Sequence, residues 1–226
     1  MKKNYRYEKK YMINPQQKRV ITSRLEKFCQ VDPNAGEDNS YRVSSLYFDD
    51  YMNSGVEDKL IGNLKRKKFR IRVYNHSDDF IKLERKTKHE NLCLKDSVRI
   101  TREQYDAVMN GHLEVMKAMD HAVWRDFYAL YRNRRLRPRV IVDYTRQCFI
   151  FPQGNVRVTM DSNLHSSVGK CDLFSQGVLI PVLDKEQIVL EVKYTGFLPS
   201  VIRDMIQHGS GHMEAISKYT YCRSSF

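Results

Sequence analysis

The chain has 226 residues, 41% of them hydrophobic and 29% charged, enough for one modest core and too apolar for intrinsic disorder. Lysine and arginine number 39 against 27 aspartate and glutamate, a formal charge of +12, which calls for a polyanion: nucleic acid, an anionic membrane surface or phosphate compounds. The five cysteines, Cys29, Cys93, Cys148, Cys171 and Cys222, are odd in number and form no C-x-x-C pair, which argues against a disulfide framework or a zinc site.

In chain order, Tyr5 to Met12 alternates Arg6, Glu8 and Lys10 with Tyr5, Tyr7 and Tyr11, a strand with one charged face. Asn14-Pro15 is an N-cap and N1 pair, and Ile21, Leu25 and Phe28 follow at helical spacing. Val43 to Asp49 reads as a strand. So do Lys68 to Tyr74 (Arg70 and Arg72 against Phe69, Ile71 and Val73), Phe80 to Thr87 (Lys82, Glu84 and Lys86 against Ile81 and Leu83) and Leu94 to Ile100 (Lys95, Ser97 and Arg99 against Val98 and Ile100). Thr101-x-x-Gln104 is a capping box that opens a short helix, and Gly111 closes it. Leu113 to Tyr131 predicts the longest helix, with Met116, Met119, Val123, Phe127 and Leu130 on a packing stripe.

Arg139 to Phe149 predicts a strand carrying Arg146 after Val140-Ile141-Val142, and Val156 to Asp161 one with Arg157, Thr159 and Asp161 on one face. Ile188 to Tyr194 sets Glu191 and Lys193 against Ile188, Leu190 and Val192, and Pro199 opens a last helix with Ile202 and Ile206. No repeat or low-complexity segment interrupts this order, so one domain over residues 1–226 is expected. No apolar stretch follows Met1-Lys2-Lys3, and no run approaches the roughly 18 apolar residues of a membrane span. A cytoplasmic protein without a membrane span is expected.

These elements predict an α+β fold, an antiparallel β-barrel of about eight strands with helices packed outside and a basic tunnel within. Two like charges at about 4 Å cost on the order of 4 kcal/mol at an effective dielectric near 20. An interior lined by Arg6, Lys10, Arg70, Arg72, Lys82, Lys86, Lys95, Arg99, Arg146, Arg157 and Lys193 therefore needs water, carboxylates or a bound polyanion to offset it. Glu8, Glu84 and Glu191 supply too little negative charge alone, which points to a chain of phosphates. The same glutamates suit Mg²⁺ or Mn²⁺, which bind through one or two carboxylates plus substrate phosphates. Pairing with neighbouring lysines is their simpler use.

Seven segments together resemble the bacterial VTC domain, the polyphosphate-polymerase branch of the triphosphate tunnel metalloenzymes, a superfamily that includes the CYTH phosphatases. They are Arg6-x-Glu8-x-Lys10-Tyr11, Ser45-Leu46-Tyr47-Phe48-Asp49, Lys68-Phe69-Arg70-Ile71-Arg72-x-Tyr74, Leu83-Glu84-Arg85-Lys86-Thr87, Arg157-Val158-Thr159-Met160-Asp161, Leu190-Glu191-Val192-Lys193-Tyr194 and Ser217-Lys218-Tyr219. The resemblance implies phosphate binding by Lys10, Arg70, Arg72, Lys86, Lys95, Arg146 and Arg157, a divalent metal on Glu191, and a tunnel capped by Lys218 near the C-terminus. CYTH enzymes open with Glu-x-Glu-x-Lys; here the first position is Arg6, which favours the polymerase over the hydrolase.

The expected activity is transfer of the ATP γ-phosphoryl to a growing polyphosphate. Lys10, Arg70, Arg72, Lys86, Arg146 and Arg157 are its catalytic set, and Arg6, Lys82, Lys95, Arg99, Lys193, Ser217 and Lys218 bind substrate. Glu191, Glu8 and Glu84 are the candidate ligands for Mn²⁺ or Mg²⁺. The partners are ATP and polyphosphate or triphosphate, without nucleic acid; a membrane partner protein is left open. Its rivals are a tripolyphosphatase or nucleoside-triphosphatase of the same fold, a non-catalytic polyphosphate- or nucleotide-binding module, and an RNA-binding domain using Lys65-Arg66-Lys67-Lys68 beside Phe69 and Tyr74.

Overall fold

Polar residues alternate with apolar ones through most of this chain, and a strand turns that alternation into two unlike faces. A computed structural model describes residues 6–61, 63, 65–89, 92–112, 114–117, 119–169, 171–175, 177–207 and 216–224, without the side chains at 59, 60, 65, 66, 89, 92, 93, 115 and 116. Tyr5, Leu113 and the side chains of Lys65, Arg66 and Met116, all used in the sequence reading, lie outside the described residues.

The strands are β1 (Tyr7–Ile13), β2 (Gln30–Val31), β3 (Ser40–Asp49), β4 (Lys65–Tyr74), β5 (Ser77–His89), β6 (Leu92–Ile100), β7 (Arg137–Phe151), β8 (Val156–Ser167), β9 (Leu179–Pro181) and β10 (Ile188–Tyr194). They form one sheet in the order β1-β10-β8-β7-β3-β4-β5-β6, with β2 on β7 and β9 on β8. The class is α+β, as expected, with eight strands on the main path and antiparallel registers throughout β1-β10-β8 and β3-β4-β5-β6.

The chain divides into two compact units, and β3, β7 and β8 contribute to both. The first comprises Met1–Arg42, Tyr144–His165 and Pro181–Lys218; the second comprises Val43–Asp143, Ser166–Ile180 and Tyr219–Phe226. In the first unit, helix α1 (Pro15–Leu25) starts on the expected Asn14 cap: Asn14 Oδ1 accepts from Gln17 N, and Gln17 Oε1 accepts from Asn14 N, both at 2.9 Å. Its Ile21 and Leu25 pack with Ile202, Met205 and Ile206 of α6 (Ser200–Ile206) against Val158, Met160, Leu190 and Val192 of the sheet.

In the second unit, α2 (Ser54–Leu60) follows β3, and α3 (Arg102–Met109) starts on the expected Thr101–Gln104 box. The single long helix expected from Leu113 to Tyr131 is instead two, α4 (Glu114–Lys117) and α5 (Ala122–Asn133). The cause lies at His121, whose extended backbone (φ −140°, ψ 134°) cannot continue a helix and whose Nδ1 caps the next by accepting from Val123 N. Trp124, Phe127 and Tyr131 of α5 cover Phe48, Phe69, Ile71 and Leu83, the apolar face of β3 to β5. Burying each such side chain contributes about 1.5–3 kcal/mol. The last helix, α7 (Lys218–Ser224), buries Tyr219 and Cys222.

Candidate functional site

With helices on their apolar faces, the strands of each unit present a second face of charged side chains. In the second unit, register stacks three rows across β4, β5 and β6. Lys68 pairs with Lys86 and Lys86 with Lys95; Arg70 pairs with Glu84 and Glu84 with Ser97; Arg72 pairs with Lys82 and Lys82 with Arg99. On β3, Tyr47 faces Arg70 and Ser45 faces Arg72. Like charges directly opposite one another are destabilising, so a bound anion would stabilise the first and third rows.

The middle row supplies part of it. Glu84, buried, accepts from Arg70 Nε at 2.6 Å and lies 2.5 Å from Lys95 Nζ. Burial alone would raise the Glu84 carboxyl, but Arg70, Arg72 and Lys95 outweigh it and hold it below the usual carboxylate range. Lys95, whose side chain is half-exposed, is driven down to about 7, mainly by partial desolvation of its ammonium among the strand-face side chains and further by Arg70 and Arg72, with Glu84 opposing. Arg70 Nη1 also donates to Tyr47 Oη at 2.8 Å, and Arg72 Nε to Ser45 Oγ at 2.9 Å. Lys82 and Arg99 lie over the Phe80 ring, and Lys68 over the Tyr219 ring.

The first unit arranges its charges differently. Glu8 pairs with Lys193 and Lys193 with Arg157; Lys10 pairs with Glu191 and Glu191 with Thr159. Each of these rows sets a carboxylate beside a cation, although Lys193 also faces Arg157. Glu191 Oε1 lies 2.5 Å from Lys193 Nζ, and Glu8 Oε1 3.0 Å from Lys10 Nζ. Lys10 also donates to Ile216 O at 3.0 Å. Burial opposes ionisation of Glu191, but Lys193, Lys10, Lys218 and Arg146 hold its carboxyl well below the usual range.

Asp161 is the anchor of this face. Arg146 grips it in bidentate fashion, Nε to Oδ1 at 2.7 Å and Nη2 to Oδ2 at 2.8 Å, and Lys218 Nζ lies 2.6 Å from Oδ2. Against the effect of burial, these two cations take the Asp161 carboxyl down to about 2. Arg157 donates to Asp32 Oδ2 at 2.5 Å and to Tyr41 Oη at 2.9 Å.

The structure brings Lys10, Glu8, Glu191, Lys193, Arg146, Arg157 and Lys218 together in the first unit, and Arg70, Arg72, Lys82, Glu84, Lys86, Lys95 and Arg99 in the second, whereas the sequence reading assigned them all to one tunnel. Arg6 is exposed just before β1, and Ser217 is half-buried beside Lys218. The sequence reading missed the partners. Asp32 lies in a loop far from Arg157 in sequence, and Asp161 was noted on its face without its role as the hub of Arg146 and Lys218. Tyr47 and Ser45 lie in a matched segment, which was the one available signal for them.

Among the described residues, no cluster of three or more His, Cys, Asp or Glu side chains could hold a metal through protein atoms alone. Glu191 and Glu8 occupy diagonal positions on one face, and Thr159, opposite Glu191, buries an Oγ1 without a partner among the described residues. An ionised carboxylate facing an unpartnered hydroxyl suits a hard cation whose other ligands are phosphate oxygens.

The α+β fold and its charged faces fit a nucleotide- and polyphosphate-related family of tunnel enzymes. A family model, the VTC domain, matches residues 5–226, and the chain belongs to that family. A solved structure from Bacillus halodurans, provisionally assigned as an adenylate cyclase, is 15% identical, covers 92% of this chain and 88% of its own, and superposes with a TM-score of 0.51. A Pyrococcus horikoshii protein is 13% identical over 97% of this chain and 100% of its own, with a TM-score of 0.48. The first of these likenesses bears on the fold alone. No curated protein matches the chain.

Proposed function

We propose that this VTC domain is a polyphosphate polymerase that transfers the γ-phosphoryl group of ATP to a growing polyphosphate. The supporting observation is the pair of like-charge rows, Lys68-Lys86-Lys95 and Arg72-Lys82-Arg99, which a polyanion would stabilise. Phosphoryl transfer needs mainly positioning and electrostatic stabilisation. Arg70 and Arg72 offer planar, multi-donor groups to phosphate oxygens, while Lys86, Lys95 and Lys82 act as point charges. In the first unit, Lys10, Arg146, Arg157, Lys193, Ser217 and Lys218 are placed to meet phosphate oxygens, and Arg6 adds positive charge ahead of β1.

Members of this family generally depend on a divalent metal, and in the first unit Mn²⁺ or Mg²⁺ would be held by Glu191 with Glu8 as a further carboxylate, while Glu84 is the candidate carboxylate of the second unit. When bound, the ion supplies charge neutralisation at the transferring group. The acceptor is a phosphate oxygen, already anionic, so the chain's residues need only orient it. No helix among the described residues is long and apolar enough to cross a membrane, and a cytoplasmic site of action fits the free thiols at Cys29, Cys148, Cys171 and Cys222.

A triphosphatase of the same fold is the second reading, favoured by the diagonal carboxylates Glu8 and Glu191. Purified protein given ATP, Mn²⁺ and a tripolyphosphate primer separates the two. The polymerase releases ADP with little free phosphate while long polyphosphate accumulates on gels, and Arg6→Glu shifts the balance toward free phosphate. Stoichiometric free phosphate without polymer at any time point would establish the hydrolase. Tight tripolyphosphate binding without turnover would leave a binding module.

A further inference from the structure

A cavity in the second unit, outside the charged strand faces, carries two arginines that neither the sequence reading nor the proposed activity uses. It measures about 180 Å³ and is lined, among the described residues, by Arg139, Val140, Ser167, Val168, Gly169, Cys222 and Arg223. A single water needs roughly 10–15 Å³ of such space, so a group of several heavy atoms fits. None of these lining residues carries a carboxylate.

The arginines are held in place by their backs. Arg139 Nη2 donates to Asp50 O at 2.8 Å, and Arg223 Nη2 donates to Asn53 Oδ1 at 2.7 Å. Both therefore lean on the short segment between β3 and α2. The Nε of each is buried and has no acceptor among the described residues. Unsatisfied buried donors are rare in folded proteins, and each calls for an explanation. Here two occur on neighbouring cations beside one cavity. Gly169, at φ 73°, leaves open space where a side chain would stand.

We propose that this cavity is a second anion site, separate from the charged strand faces, which binds a phosphate oxyanion between Arg139 and Arg223. Two guanidinium groups carry two positive charges and a planar array of donors that matches phosphate oxygens. A phosphate near neutral pH carries between one and two negative charges and balances them; a carboxylate would leave one guanidinium uncompensated. The ligand is inorganic phosphate or the end of a polyphosphate chain, which share the same terminal oxygens.

The test is calorimetric titration of inorganic phosphate and, separately, of tripolyphosphate into the full chain and its variants. Phosphate binding in the wild type is expected to include one component that weakens at least tenfold in Arg139→Gln and in Arg223→Gln. That component is expected to persist in Arg70→Gln and Glu191→Gln, whose effects fall on binding at the strand faces. Arg223→Lys keeps the charge and tests the site if the glutamine variants fold poorly; it too is expected to bind phosphate more weakly. Weaker tripolyphosphate binding in the Arg223 variants would identify a chain end as a ligand, and loss of phosphate binding alone would identify the free ion. Phosphate binding unchanged in Arg223→Gln, or abolished by Arg70→Gln, would overturn the proposal. So would equal binding of acetate, or no binding of phosphate at millimolar concentration. Failure of the polymerase assay leaves these outcomes readable, because none of them depends on turnover.

Discussion

The two units solve the same electrostatic problem in opposite ways. In the first, both cross-strand rows, Glu8-Lys193-Arg157 and Lys10-Glu191-Thr159, contain a carboxylate beside a cation, and Asp161 draws in Arg146 and Lys218. In the second, Glu84 is the carboxylate shared by Arg70 and Lys95, while Lys68-Lys86-Lys95 and Arg72-Lys82-Arg99 set like charges opposite one another. Ion pairing fixes geometry, because a charged group held by its partner keeps one rotamer, as Arg146 does on Asp161. Surplus charge leaves attraction to spare for a ligand. Under the proposed activity the first face would orient the substrate and the second would grip it, and the two should respond differently to the same kind of substitution.

The largest expected effect belongs to the first face. Asp161→Asn leaves Arg146 buried without its counter-charge, and breaking a buried pair in this way costs about 3–5 kcal/mol. Thermal or urea unfolding should show that loss directly. The same residue sets an acid limit. Its carboxyl is depressed from 3.8 to about 2, so its contribution to stability is complete above about pH 4 and is lost as pH falls toward 2. The wild type should lose stability across that window and Asp161→Asn should lose less. A variant as stable as the wild type would remove Asp161 as the anchor.

Glu191→Gln comes next. Turnover should fall about 100-fold or more, the scale on which removing one well-placed electrostatic group acts, while tripolyphosphate binding changes little. Unchanged turnover would take Glu191 out of the site. Arg70→Gln reverses the pattern: tripolyphosphate affinity should drop roughly tenfold, the order expected for losing a charge-assisted contact. The drop should shrink as salt rises. Equal effects of the Glu191 and Arg70 variants on binding would erase the distinction between the faces.

Much of each face was readable before the structure. Strand β10 has the bounds of the sequence reading, because Ile188, Leu190 and Val192 alternate with Glu191 and Lys193, with Val189 an apolar residue on the charged face. Alternation also put the predicted cations of β4, β5 and β6 on one face. It did not foresee Arg85 on the opposite, apolar face, where Asp96 and Asp126 neutralise it. Asp126 lies on α5, so that pairing is set by helix packing. Helices α2 and α7 were missed because each spans only seven residues and carries no repeating apolar stripe. The ion-pair partners were least legible of all: Asp32 meets Arg157 across 125 positions, and no local pattern records that contact. Arg139 and Arg223 escaped notice because neither sits in an alternating segment.

The smallest expected effect probes how far the surplus charge of the second face is tuned. Lys95 has an ordinary value of 10.5 and stands at about 7 in the folded chain. Between those values the unfolded chain holds a proton that the folded chain does not. The folded state is therefore penalised below about pH 7, and Lys95 adds to stability as pH rises from there toward 10.5. Anion binding has the opposite trend. Lys95 is charged below pH 7 and neutral above it, so tripolyphosphate affinity should weaken as pH rises through 7. A bound polyanion favours the ammonium, so binding near pH 7.5 should take up a proton, measurable by calorimetry in two buffers of different ionisation enthalpy. The Lys95 side chain is 50% exposed, and solvent screening limits the effect to roughly threefold in affinity between pH 6.5 and 8. Tripolyphosphate itself titrates in this range, so the quantity that matters is the difference between the wild type and Lys95→Gln. Proton uptake should disappear in that variant, and Glu84→Gln, which removes the one partner holding the ammonium up, should move the transition to lower pH. Identical pH profiles for the wild type and Lys95→Gln would place this lysine outside the phosphate-binding set and leave the grip to Arg70, Arg72 and the rest of the face.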